Sequence, residues 1–229
     1  MNLDALWHDL ECGDYRDDLP YWRALAAETG GPVLDIGAGT GRVTVDLAGA
    51  GFDVVALDIE PALLAALSHR AAVETVVADA CAFELGRRFG LIVAPMQTLQ
   101  MLADRPAFLR RALAHLRPGG LLAAAIADAM DCFDDDHPVP PPPQVLDIGD
   151  VRYASQLLAV IEESGRAALH RRRTITGREP ERVVDHLVRL TPDQLTAEAA
   201  ALGFLPEPPR RIPESDRYLG ATIVVLRAP

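Results

Sequence analysis

The stretch Pro32–Gly51, PVLDIGAGTGRVTVDLAGAG, places an acid and three glycines at the end of a short apolar run. Asp35, Gly37, Gly39 and Gly41 are followed by helical spacing, with Val43, Leu47 and Ala50 on one face. Glycine in such a turn lets backbone approach a ligand, because no Cβ intervenes, and it accepts positive φ. A strand, glycine loop and helix in that order are expected to offer backbone N–H groups to a ligand at the helix start. A dinucleotide is the first candidate, and its loop is G-x-G-x-x-G. Counting from Gly37, the sixth residue is Arg42, a bulky side chain where that loop needs glycine. Two further acids close later apolar runs: Asp58 in DVVALDI and Asp79 in VVADA.

The order LDIGAGTG resembles motif I of the class I S-adenosylmethionine-dependent methyltransferases, small-molecule type, and the spacing of the later acids agrees with that family. The resemblance implies a site for S-adenosylmethionine as cofactor. Asp35 would help hold the amino group, and Gly37, Ala38, Gly39 and Gly41 would shape the loop. Asp58, with Ile59 beside it, would receive both ribose hydroxyls, a task for which a carboxylate has the two acceptor oxygens. Asp79 would receive the adenine amino group, with Ala80 and Cys81 along the ring. Ala94 and Pro95, at the end of FGLIVAP, would border the methionine part and the reactive methyl.

The implied activity is methyl transfer to a small-molecule acceptor, through a nitrogen, oxygen or carbon nucleophile, by in-line displacement. The sulfonium is already electrophilic, so the protein contributes chiefly proximity and alignment. Tyr15 would close over the sulfonium, since an aromatic face suits a cation. Gln100 falls where amine-directed relatives carry a histidine or other polar group; glutamine orients by hydrogen bonding but does not act as a base at neutral pH. Gln97, Asp128 and His186 are the expected substrate contacts. No residue stands out as a general base, which favours a neutral amine, or a hydroxyl or carbon acid that ionises readily. Asp134, Asp135, Asp136 and His137 read as a solvated acidic loop, because adjacent side chains do not easily converge on one ion, and no metal is expected. The rival readings are a protein that binds S-adenosylmethionine without transferring methyl or uses it for other chemistry, an NAD-dependent oxidoreductase, and a nucleic-acid or protein methyltransferase, which the acidic balance and the absence of a basic tract disfavour.

The elements that must hold these residues alternate. Apolar runs at Val33–Gly37, Asp53–Ile59, VETVVADA, FGLIVAP and GLLAAAIAD alternate with helical patterns, as in a parallel sheet covered on both faces. RPAFLRRALAHLRPGG reads as a helix closed by Pro-Gly-Gly. Val151–Ile161, Ala167–Thr176 and Arg182–Leu190 read as an antiparallel meander, TPDQLTAEAAALGF as a helix capped by Thr191, and ATIVVLRAP as a last strand, expected to be antiparallel. The fold class expected is α/β: a Rossmann-like, doubly wound, mostly parallel seven-stranded sheet with a small antiparallel β-meander cap. One domain is expected over residues 1–229, comprising an N-terminal helical lid (1–30), a cofactor-binding core (31–130), an antiparallel substrate cap (144–190) and a C-terminal helix with final strands (191–229).

With 229 residues there is enough chain for one substantial core. The net charge of −11, with arginine as the only strongly basic residue, argues against a nucleic-acid partner. No run is long enough to span a bilayer, so no membrane partner is expected. Cys12, Cys81 and Cys132 show no metal or disulfide spacing, which fits a reduced, cytoplasmic setting. A monomer or homodimer is expected.

Overall fold

The computed structural model describes residues 2–127, 132–133, 141–214 and 220–229. Asp128 and the acidic residues 134–137 lie outside the described residues. In chain order the elements are α1 (Leu3–Cys12), α2 (Leu19–Thr29), β1 (Val33–Ile36), α3 (Arg42–Gly49), β2 (Val54–Asp58), α4 (Pro61–Ser68), β3 (Glu74–Val77), β4 (Phe89–Ala94) and α5 (Thr98–Met101). They continue with α6 (Arg105–His115), β5 (Leu116–Ile126), β6 (Gln144–Ile148), β7 (Val151–Glu163), β8 (Arg166–Ile175), β9 (Glu181–Val188), α7 (Pro192–Ala201), β10 (Leu205–Ile212) and β11 (Ala221–Arg227). The chain divides into two compact units, residues 15–129 with 190–229, and residues 1–14 with 130–189.

The larger unit is a seven-stranded sheet in the order β10-β11-β5-β4-β1-β2-β3. β1 pairs in parallel with β2 and β4, and the pattern extends to β3 and β5, while β11 runs against both of its neighbours. The fold class expected from the sequence is thus the one observed. Strands β1, β2 and β4 are buried on both faces, which explains their unbroken apolar runs. One face packs Leu34, Ile36, Leu57, Ile92 and Phe108; the other packs Val33, Leu91, Val93, Trp22 and Leu47. Chain direction across the sheet switches between β1 and β4, the place where open α/β sheets leave a crevice at the carboxyl ends.

Some elements depart from the sequence reading. α6 ends at His115 and β5 begins at once, so Arg117–Gly120 open the strand rather than close the helix. β10 contains three prolines and carries no strand signal; it forms because it lies at the sheet edge, where missing N–H groups face no partner. Its register slips between Glu207 and Arg210, around Pro208 and Pro209. α7 is capped as expected: Thr191 Oγ1 accepts from the Gln194 amide and Gln194 Oε1 accepts from the Thr191 amide.

The smaller unit is an antiparallel sheet in the order β6-β7-β8-β9, with β6 as an edge strand beyond the three-stranded meander expected. Helix α1 packs on it through Leu6, Trp7 and Tyr153, the two rings meeting edge-on at 5.9 Å. Glu11 Oε1 and Oε2 accept from Arg173 at 2.8 Å each, and Ser155 Oγ donates to Oε1 at 2.7 Å. Residues 1–30, expected as one helical lid, are therefore divided: α1 joins the antiparallel sheet and α2 joins the larger unit.

Candidate functional site

The loop after β1 turns on three left-handed glycines, Gly37, Gly39 and Gly41, with φ of 68°, 56° and 94°. Its amides are largely committed within the protein. Gly37 and Ala38 N–H both donate to the Leu57 carbonyl, at 2.9 and 3.0 Å; Gly39 N–H donates to Asp58 Oδ2 at 2.7 Å; Gly41 N–H donates to the Ala38 carbonyl at 2.9 Å. The expectation of N–H groups offered to a ligand is corrected at these four positions: the β2 end is close enough to take three of them. Close approach comes from protein as well. A Cβ on Gly37 would lie 2.8 Å from Thr98 Cγ2, and one on Gly41 would lie 2.1 Å from Leu67 Cδ1. Gly37 therefore joins the loops after β1 and β4 across the switch point.

Asp35 is 1% exposed, on the face of β1 that carries Val33. Its Oδ2 accepts from Thr44 Oγ1 at 2.6 Å, and its Oδ1 has no hydrogen-bond partner among the described residues. Burial pushes the Asp35 carboxyl up to about 7, against the Thr44 hydrogen bond and the Arg42 cation, which draw it down. Asp58 accepts the Gly39 amide on one oxygen and the Glu60 amide on the other, at 2.7 and 2.9 Å. Each oxygen keeps a lone pair for a further donor. The Ala78 amide donates to the Asp58 carbonyl, which brings the β3 end beside the β2 end. Asp79 follows there, exposed, with Oδ1 accepting from the Cys81 amide at 2.8 Å. Ile59 is exposed, Ala80 buried and Cys81 half-buried beside it. The structure thus brings Asp35, Ala38, Gly39, Asp58 and Asp79 to one rim.

Ala94 and Pro95 are buried at the β4 end, Gln97 is half-buried, and Met96 between them holds φ of 53°, a left-handed conformation that costs a non-glycine residue energy. Gln100 is 2% exposed. Its Nε2 donates to the Ala127 carbonyl at 3.2 Å and its Oε1 accepts the Ala127 amide at 3.0 Å, so it fastens α5 to the chain leaving β5. Tyr15 is buried with Leu19 and Trp22, and the Arg42 guanidinium lies 5.1 Å from its ring centroid. Burial, with Asp18 next in effect, drives its hydroxyl well above the ordinary value. His186 is exposed on β9, opposite Ala168. Among the described residues no three His, Cys, Asp or Glu side chains gather as a metal would require.

The sequence reading missed Asp18, Thr44, Met96 and Thr98. For Thr98 the only signal available was its place just after the fourth strand; Asp18 and Thr44 carried none.

Residues 33–120 match the family described as methyltransferase domain. The matched segment runs from the start of β1 into β5. The ubiquinone biosynthesis O-methyltransferase of Methylobacterium nodulans (strain LMG 21967 / CNCM I-2342 / ORS 2060) is 35% identical over 99 residues, 41% of this chain and 39% of that protein. The match thus spans about two fifths of that relative's length. Among solved structures, the domain resembles SAM-bound CalS10, an amino pentose methyltransferase from Micromonospora echinaspora, with a TM-score of 0.74, 18% identity and coverage of 100% of this chain and 98% of that one. The sugar N-methyltransferase KedS8 from Streptoalloteichus sp ATCC 53650 gives a TM-score of 0.75 at 19% identity, covering 100% and 94%. At these identities the likeness is one of fold.

Proposed function

We propose that the protein transfers the methyl group of S-adenosylmethionine to a small-molecule acceptor. The observation that carries the reading is Asp35: a buried carboxylate oxygen with no partner among the described residues, beside a glycine loop in which the amides of Gly37, Ala38, Gly39 and Gly41 are already occupied. An unsatisfied buried acceptor is costly unless a ligand completes it. A pyrophosphate needs donors, and the amides of Gly37, Ala38, Gly39 and Gly41 already have acceptors. An amino acid's ammonium needs acceptors, and Asp35 Oδ1 is one. The same geometry disfavours the NAD-dependent oxidoreductase.

The other residues fit the group as well. Asp58 has lone pairs for a vicinal diol, and Asp79 stands exposed at the next strand end for an exocyclic amine. When bound, S-adenosylmethionine supplies a methyl on a sulfonium sulfur, which a nitrogen, oxygen or carbon nucleophile displaces in line. The chain's own part is to hold and align. Gln100 acts by fixing the β5 end rather than by touching protons, and Tyr15 lines the same side of the sheet as Asp35. Gln97, half-buried at the β4 end, is the proposed acceptor contact. By their names one relative is an O-methyltransferase and another a sugar N-methyltransferase, so both acceptor kinds belong in a test. No helix among the described residues is long and apolar enough to cross a membrane; the cytoplasmic setting we propose is supported by the free cysteines Cys12, Cys81 and Cys132.

The test is calorimetry with S-adenosylhomocysteine and NAD, followed by turnover with S-adenosylmethionine and a panel of small amines and phenols. Binding of S-adenosylhomocysteine, and its formation with one acceptor, are expected. Binding of NAD instead would overturn the reading. Tight cofactor binding with no transfer to any amine or hydroxyl would favour the binding-only alternative.

A further inference from the structure

Helix α3 serves two sides of the site with two residues of its first turn. Arg42 grips Asp18 with both arms: Nη1 donates to Oδ1 at 2.5 Å and Nη2 donates to Oδ2 at 2.8 Å. Both side chains are buried, 6% and 0% exposed. Nη1 also donates to the Tyr15 carbonyl at 2.8 Å, and the Trp22 indole N–H donates to Asp18 Oδ2 at 2.8 Å. Two residues further along α3, Thr44 holds Asp35 Oδ2 and leaves Oδ1 open. One rigid turn therefore touches both the segment Tyr15–Trp22 and the buried carboxylate.

We propose that Arg42 is a positioning residue of the cofactor site, coupling the placement of residues 15–18 to the readiness of Asp35 for the cofactor's ammonium. The proposal rests on the reading of Asp35 as the acceptor of that ammonium. The charge arithmetic supports it. Asp35 faces Thr44 and Arg42 from α3, Asp58 from β2 and Asp18 from the segment before α2. Burial and the two carboxylates favour its neutral form; Thr44 and the Arg42 cation favour the anion. A neutral carboxyl attracts an ammonium far less than a carboxylate does, so near neutral pH the Arg42 charge, acting with the Thr44 hydrogen bond against burial, raises the share of the protein that can bind. Arginine is needed rather than lysine because the grip on Asp18 is bidentate, with a further bond to a carbonyl.

The experiment is calorimetric titration of S-adenosylhomocysteine into the full chain from pH 6 to pH 9, for the wild type, R42Q, R42K and D18N, with circular dichroism to check folding. Wild-type affinity is expected to rise as pH increases through about 7, where Asp35 ionises. R42Q removes the cation, so its midpoint moves up; a displacement of one pH unit lowers affinity about tenfold below the midpoint, and the deficit shrinks toward pH 9. R42K keeps the charge and loses the fork, so its affinity drops by a similar factor at every pH while its midpoint stays. D18N removes an anion and keeps the Arg42 charge, so its midpoint moves down, and it decides the matter should R42Q fail to fold. Unmoved midpoints in the folded variants overturn the proposal alone. A wild type that binds no S-adenosylhomocysteine at any pH overturns the cofactor reading and this proposal with it.

Discussion

The Gly39 amide donates to Asp58 Oδ2 at 2.7 Å, so the loop after β1 and the tip of β2 form one hydrogen-bonded unit. The carboxylate at the end of β2 has a double duty: it shapes the loop, and it remains an acceptor for a diol. Asp58→Ala removes both functions and leaves the Gly39 and Glu60 amides without their acceptor. Hydrogen bonds to a charged group contribute about 1.5–3 kcal/mol each, so affinity for S-adenosylhomocysteine should fall on the order of 10- to 100-fold or more. Asp58→Asn keeps one acceptor oxygen and should lose less. Calorimetry reads the difference; undiminished affinity in Asp58→Ala would exclude Asp58 from the site.

Gly37→Ala should destabilise for two separable reasons. The new Cβ would sit 2.8 Å from Thr98 Cγ2, and the residue holds φ of 68°. The left-handed conformation costs a residue with a Cβ about 1–2 kcal/mol, and the clash adds to that. Adding Thr98→Ala should relieve the clash but not the backbone strain, so the double variant should lie between Gly37→Ala and the wild type in urea denaturation. A double variant no more stable than Gly37→Ala would mean that Thr98 is not what constrains the loop.

The parts legible in the sequence were those fixed by short-range pattern. Asp35, Asp58 and Asp79 stood out because each lies at or near the end of an apolar run that advertises a strand, and the runs around Asp35 and Asp58 are buried on both faces. The parallel sheet followed from the same runs. What could not be read depends on residues distant in sequence that meet only after folding. Arg42 was visible as a misfit in a dinucleotide loop, but its partner Asp18 is separated from it by 24 positions and signalled nothing. Gln100 looked like a group for the substrate because its amide is polar and follows a strand; the backbone of Ala127, separated by 27 positions, takes both ends of that amide. Tyr15 was read as an aromatic face for a cation, and the cation now over its ring is Arg42. The edge strands β6 and β10 escaped because edges tolerate sequences that central strands do not.

In the smaller unit, Glu11 and Arg173 supply a test that is independent of any ligand. Burial raises the Glu11 carboxyl, but the hydrogen bonds from Arg173 and Ser155 and the charges of Arg173 and Arg171 outweigh it, and the net direction is down from 4.5. A lowered acid stabilises the fold above its unfolded value, and that contribution is lost as pH falls below 4.5. Arg173→Gln takes the paired cation from a largely buried carboxylate and leaves it the Ser155 hydroxyl, a loss of up to about 3–5 kcal/mol. Burial then dominates, so the variant should regain stability as pH is lowered from 7 toward 5, a window in which the Glu11 contribution of the wild type stays constant. Hydrogen exchange in α1 and β6–β9 reads this directly; parallel pH trends in the two proteins would show that the pair contributes little.

Asp35→Asn should make the ligand-free protein more stable and the site useless. The carboxyl lies at about 7 in the fold against 3.8 for an ordinary aspartate. Between those values the folded chain holds a proton that the unfolded chain releases, so stability increases as pH falls through that window and is lowest above it. At pH 8 the wild type carries a buried anion with one oxygen unpaired, and the asparagine variant does not. Its melting temperature should exceed the wild type's at pH 8, and the gap should narrow toward pH 5 as the wild-type carboxyl takes up its proton. Thr44 can still donate to the amide oxygen, so the gain is not offset by a lost hydrogen bond. S-adenosylhomocysteine affinity should drop at pH 8, because a neutral amide lacks the charge that meets an ammonium. An asparagine variant less stable than the wild type at pH 8 would mean that the carboxylate is satisfied in the empty fold, and the reason for assigning it to a cationic ligand would be gone.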